Sequence, residues 1–168
     1  VSNWLAELSV TRQALEQLSV SRGEEGRSIK ADLLANCERI AGELEVIGAR
    51  VPSVVEEYHA RLKDRVEHLL AQAKLTLDED LLAREVAIYA ERSDIAEEVS
   101  RLGAHLVQFR QCCEKGGPAG RRLDFMTQEM LREANPIASK SSDAAIAQSV
   151  IDIKCAIDRI KEQVQNVE

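Results

Sequence analysis

Glu91, Asp94, Glu98, Arg101 and His105 follow one another at intervals of three, four, three and four residues, with Glu97 close by. On a helix that spacing puts them on one face. Carboxylates with one imidazole, a turn or two apart, are ligand types that Mg²⁺ or Mn²⁺ takes, and the histidine tilts the choice toward Mn²⁺. The same residues also read as a solvated face of ion pairs, Glu97 or Glu98 with Arg101. Long helices carry such faces routinely, and on spacing alone this is the commoner outcome.

A second set lies in Gly120-Arg121-Arg122-Leu123-Asp124-Phe125, then Gln128-Glu129, Arg132-Glu133-Ala134-Asn135 and Ser139-Lys140. On a helix Phe125, Gln128, Glu129 and Arg132 share a face, with Arg122 one turn earlier. Interleaved arginines and carboxylates can hold a metal and a phosphate side by side. They can equally lock two helices together through salt bridges, and residue chemistry alone favours neither reading. His59 and His68 stand nine residues apart, not at i,i+4, and read as solvated or packed. No HExxH, P-loop, GxSxG or GxGxxG motif occurs, which removes the zincin, nucleotide-hydrolase, hydrolase-elbow and dinucleotide-binding readings. Gly116-Gly117-Pro118-Ala119-Gly120 lacks a following Lys-Ser/Thr and reads as a turn.

The elements that must position these residues are all helical. Period-two alternation never holds for long, so no strand is expected. The fold class predicted is all-α: a long antiparallel helical hairpin or bundle with coiled-coil-like seams. Val51-Pro52-Ser53, Gly116-Gly117-Pro118 and Asn135-Pro136 are read as breaks, and two glycines in Ser21–Gly26 as a kink or hinge. Residues 1–75 are then a long helical hairpin, its second helix ending near Lys74, and 76–168 a C-terminal helical domain of catalytic type. Leu33, Cys37, Ile40, Leu44, Ile47 and Val51 form one seam; Ile146, Val150, Ile153, Ile157, Ile160, Val164 and Val167 form another. A continuous helix over 79–115 carries Ile95, Val99, Leu102, Leu106, Phe109 and Cys113, and a shorter one covers 121–134. Ser142 or Asp143 caps the last helix. Seams such as Ile146 to Val167 and Leu33 to Val51 exceed what one thin hairpin covers, which predicts self-association.

Apolar residues make up 45% of the 168 and charged residues 30%, with only 3% aromatic. No apolar run approaches the ~18 residues of a membrane span. Four cysteines show neither CxxC spacing nor disulfide-rich density, and Cys37 and Cys155 read as small hydrophobes on helical seams. A reducing cytoplasm is the expected location. The net charge of −7 disfavours tight phosphate binding by this segment alone.

The stretch GRRLDFMTQEMLREANPIASKSSDAAI (Gly120 to Ile146) resembles the signature of the YicC family. So do IKEQVQNVE at the end and REVAIYAERSDIAEEVSRLGAHLVQF (Arg84 to Phe109) upstream. Together these blocks cover about half the chain. Where the family usually has Asn-Thr this chain has Asn135-Pro136, which removes a hydroxyl and an N–H. The resemblance implies an endoribonuclease that needs a divalent metal and assembles as a homo-oligomeric ring, a hexamer. It also implies an N-terminal α/β region before the helical part, consistent with a chain that opens on Val1 and able to supply a basic surface for RNA. Under that reading Asp94, Glu97, Glu98 and His105 meet Asp124, Glu129 and Glu133 around one or two cations. Arg122, Arg132 and Lys140 orient the scissile phosphate. Two rival readings are a helical oligomerisation or adaptor module, and an RNA clamp without chemistry of its own.

Overall fold

The structure, a computed structural model, describes residues 2–73, 76–115 and 119–167. It is all-α, with no strand among the described residues. Five helices follow in order: α1 (Ser2–Ala73), α2 (Glu79–Arg92), α3 (Ala96–Lys115), α4 (Gly120–Lys140) and α5 (Ala144–Val164). The expected stop at Gly116-Gly117-Pro118 and the expected end near Lys74 lie outside the described residues.

The expected hairpin within 1–75 is instead the single helix α1, 72 residues long, which runs through Pro52 and both early glycines. Pro52 leaves the carbonyl of Gly48 without its helical donor, but both residues are exposed, so that carbonyl is not shut away from solvent. Ile47, Val51 and Val54 stay in phase across the proline and pack into the core, so burial on both sides outweighs the lost bond. Gly23 and Gly26 sit among exposed residues, where glycine weakens a helix without ending it. In the same way α4 continues through Pro136, held by Ala134 and Ile137, both fully buried.

The opposite correction applies to the helix expected over 79–115. It divides at Ser93–Ile95 into α2 and α3. The Ser93 hydroxyl donates to the Tyr89 carbonyl at 2.8 Å, closing α2, and the Asp94 carboxylate accepts from the Ala96 amide at 3.0 Å, opening α3. Short polar side chains that satisfy orphaned backbone groups favour ends over interiors.

Two antiparallel arrangements build the bundle. The α1 seam (Leu33, Cys37, Ile40, Ile47) buries against α5, whose Ile146, Val150, Ile153, Ile157, Ile160 and Val164 are nearly inaccessible. Arg50 ties α1 to the start of α5 through Asp143, at 2.8 Å. Asp143 also caps α5, accepting from the amides of Ala145 and Ile146 at 3.0 and 3.1 Å. Helices α3 and α4 form the second pair, joined in the core by Leu102, Leu106 and Phe109 with Leu123, Met126, Met130 and Ile137. Gly120 starts α4 so close to the Val167 carbonyl that a Cβ would collide with backbone there. Helix α2 lies on α1, with the Tyr58 and Tyr89 rings stacked at 3.7 Å. From Leu8 to Ser28 every side chain of α1 is exposed, so this part of the helix projects beyond the bundle.

Candidate functional site

The two sets of charged residues meet at one point. Glu98, in the first turn of α3, is buried, and its Oε1 accepts from Lys140 Nζ at 2.7 Å. Lys140 ends α4 and donates also to the backbone carbonyl of Asp94 at 3.1 Å. One ammonium therefore pins the α2–α3 turn to the end of α4. The Lys140 bond holds the Glu98 carboxyl below its ordinary range, against the opposing effect of burial. Glu98 Oε2 is buried and makes no hydrogen bond to the protein. Such an oxygen is costly to hide from water and stays free for a proton, a donor or a cation.

The neighbours divide differently from their spacing. Asp94 is spent on the α3 cap, and Glu97 pairs on the surface with Arg101. Glu91 belongs to α2, so it does not continue the α3 face. His105 is half-buried, two turns along α3 from Glu98. Since α3 and α4 are antiparallel and Glu98 meets Lys140, an equal count of about seven residues along each axis brings His105 level with Glu133. Glu133 and Glu129 are half-buried on the same flank of α4 as Lys140.

Asp124 stands apart. It lies about 24 Å along α4 from Lys140 at a rise of ~1.5 Å per residue, and its Oδ2 accepts from Gln128 Nε2 at 2.9 Å. Arg122 and Arg132 are exposed, and Arg132 comes only within 3.8 Å of Glu129. Among the described residues no three Asp, Glu, His or Cys side chains form a group that could hold a metal ion. The expected ring of Asp94, Glu97, Glu98, His105, Asp124, Glu129 and Glu133 is spread over one end, one flank and the far end of the α3–α4 pair.

Two of the cysteines are poor nucleophiles. Burial pushes the Cys37 thiol up to about 12 and Cys113 to about 11, so both are protonated at neutral pH. Cys155, expected on the α5 seam, is exposed, because Ile153, Ile157 and Ile160 take the inward face. His59 and His68 are exposed on α1. Sequence spacing missed the Arg50 network, in which the guanidinium reaches Asp143 and also Glu57 at 2.7 Å. Its only signal was Arg50 and Glu57 two turns apart on one helix, with the capping Asp143 far away in sequence.

Residues 47–168 match the model of a family described as "Endoribonuclease YicC-like, C-terminal". The chain is 39% identical over 165 residues to a protein of Clostridioides difficile named probable endoribonuclease YicC, covering 98% of this chain and 56% of that protein. It is 37% identical over 147 residues to a protein of the same name from Haemophilus influenzae, covering 88% of this chain and 50% of that protein. The chain thus spans about half the length of the curated relatives it matches.

Proposed function

Because the chain belongs to the YicC-like endoribonuclease family, we propose that the protein cleaves RNA internally by hydrolysing phosphodiester bonds. The observation that carries this reading is the 39% identity sustained over 98% of the chain to a relative named as a probable endoribonuclease. The half-buried flank of α3 and α4 is where this chain's own groups are best placed to contribute. His105 has the chemistry to move a proton near neutral pH. Arg122 and Arg132, projecting from α4, are suited to orient a phosphate and to offset charge that develops on it. Lys140 and Glu98 neutralise each other, so their role is to hold the α3–α4 pair in register.

Divalent-metal dependence, with Mn²⁺ or Mg²⁺, is proposed on the family resemblance. Among the described residues the carboxylates do not gather three to a point, so water, a second copy or other parts of the whole protein would complete the coordination of a cation held here. Homo-oligomerisation is proposed too, the family resemblance suggesting a hexameric ring. The free thiols suit a reducing cytoplasm, and among the described residues no helix is long and apolar enough to cross a membrane.

The test is to incubate the purified whole protein with a structured RNA in Mn²⁺, in Mg²⁺ and in chelator. Internal cleavage lost with His105→Ala, at an unchanged melting temperature, is the expected result. An equal loss with both metals assigns proton transfer to His105, and a loss confined to Mn²⁺ assigns ligation. A highly purified protein that never cuts RNA under any of these conditions overturns the proposal.

A further inference from the structure

A cavity of about 520 Å³ opens where the projecting part of α1 leaves the bundle. Three chain ends converge on α1 there. The last turn of α3 brings Cys112 and Cys113, the start of α4 brings Ala119, and the tail after α5 brings Val167. From α1 come Ile29 and Leu33, spaced to share a face with Arg22 and Gly26. Leu33 and Cys112 are buried and the other four half-buried, so these six residues make a floor, while Arg22, Glu25, Gly26 and Lys30 are exposed and make a rim. Gly26 keeps the recess open: a Cβ built on it would meet nothing within 4 Å. The floor is uncharged throughout, since burial pushes the Cys113 thiol up to about 11 and a protonated thiol behaves as a small hydrophobe.

The charges at the mouth say which ligand. Lys30 forms no ion pair among the described residues. Its ammonium is near enough to Cys113 to oppose the effect of burial on that thiol. Arg22 and Glu25 add one charge of each sign, which leaves the positive charge of Lys30 unbalanced. Ala119 begins α4 with no side-chain cap, so the positive end of that helix lies at the same corner. An apolar floor under one unbalanced cation fits an anion with an apolar body. The volume falls within the roughly 300–1,000 Å³ of small-molecule sites. Six floor residues present too little apolar surface for a macromolecular interface.

We propose that this corner binds a small organic carboxylate, with its apolar body on Ile29, Leu33 and the two cysteines and its carboxylate on Lys30. A ligand seated there touches α1 and the ends of α3, α4 and α5 at once, and so ties down the point from which the projecting part of α1 springs. The inference stands apart from the reading of the protein as a nuclease.

The experiment titrates the whole protein with two fluorescent probes. One is the anion 8-anilinonaphthalene-1-sulfonate; the other, N-phenyl-1-naphthylamine, has the same rings without the charge. Dodecanoate then competes with the bound anion. Lys30→Gln should weaken the anion by roughly 2- to 5-fold and leave the neutral probe unaltered. Gly26→Leu puts a side chain into the recess while removing a glycine from the helix, which the helix favours. It should weaken both probes by roughly 10- to 70-fold, and Gly26→Ala should change neither. Dodecanoate should displace the anion and slow amide hydrogen exchange over residues 22–33. Anion binding that survives Gly26→Leu overturns the site, as does slowed exchange confined to the exposed leucines nearer the start of α1. A neutral probe bound as tightly as the anion, or no displacement by dodecanoate, overturns the ligand class. Displacement of the probe by a short RNA would assign the cavity to nucleic acid and remove the small-molecule site.

Discussion

Glu98 shows how far a residue can be read before its partner is known. Spacing placed it with His105 on one face of α3, and that is where both lie. Spacing did not reveal Lys140, which is 42 positions away and meets Glu98 only because α4 folds back along α3. The pair changes what substitution should do. A carboxylate serving only a cation would tolerate Glu98→Gln without loss of stability, but here the change takes the negative charge from a part-buried ion pair with Lys140. We expect a loss of about 1.5–3 kcal/mol, measured by urea unfolding at neutral pH; equal stability of the two proteins would remove the lock. Acid provides a second reading. The folded carboxyl is held below its ordinary value of 4.5, so the unfolded chain takes up the proton first as pH falls. The contribution of Glu98 is complete above that value and is lost as pH drops through the lower, folded one. The gap between wild type and Glu98→Gln should therefore be widest near neutrality and close in acid. Asp124 was the less legible case: its distance from Lys140 along α4 follows from helix rise, but which end of α3 it faces requires the direction of the hairpin.

At the scale of elements, apolar periodicity proved a better guide than single breaking residues. The seams Leu33 to Val51 and Ile146 to Val164 are buried as their spacing demanded. Pro52 and Pro136 were read as ends because proline removes a donor, yet whether that matters depends on where the orphaned carbonyl points. At Pro136 the orphan belongs to Arg132, an exposed residue on the outer face of α4. Conversely, Ser93 and Asp94 end and begin helices through side-chain bonds to backbone, within a stretch where the four-three pattern of apolar residues runs on regardless. Local hydrogen bonding decided there, and periodicity could not see it. Pro136→Ala restores the missing donor and should stabilise the protein by about 1–3 kcal/mol, seen as a higher urea midpoint at unchanged m-value. A loss of stability instead would mean that the packing of Ala134 and Ile137 depends on a bend imposed by the ring.

At the scale of the whole molecule, the two seams that argued for self-association turn out to cover each other, α1 against α5. The apolar surface left over lies elsewhere. Trp4, Leu8, Leu15 and Leu18 are between 46% and 64% exposed, on the part of α1 that projects past the bundle. With Thr11 they continue, at four-three spacing, the line that reaches Ile29 and Leu33 inside the bundle. The line thus runs from Leu33, buried in the bundle, to the exposed side chains of Leu18, Leu15, Leu8 and Trp4. A helix projecting alone with such a seam is weakly supported by its own hydrogen bonds and gains most by burying the seam on another helix. We propose a second copy of the same segment as that partner, because two identical stripes packed antiparallel about a two-fold axis each cover the other. Leu8→Glu with Leu15→Glu places charge in the centre of that contact. The dissociation constant should rise by at least about 10- to 100-fold, read by sedimentation at micromolar concentrations. The thermal midpoint of the bundle should stay where it is when measured below the concentration of association, since neither leucine touches the core. Wild type that sediments as a monomer at high micromolar concentration would remove this interface, and association that survives the double substitution would move it to another face.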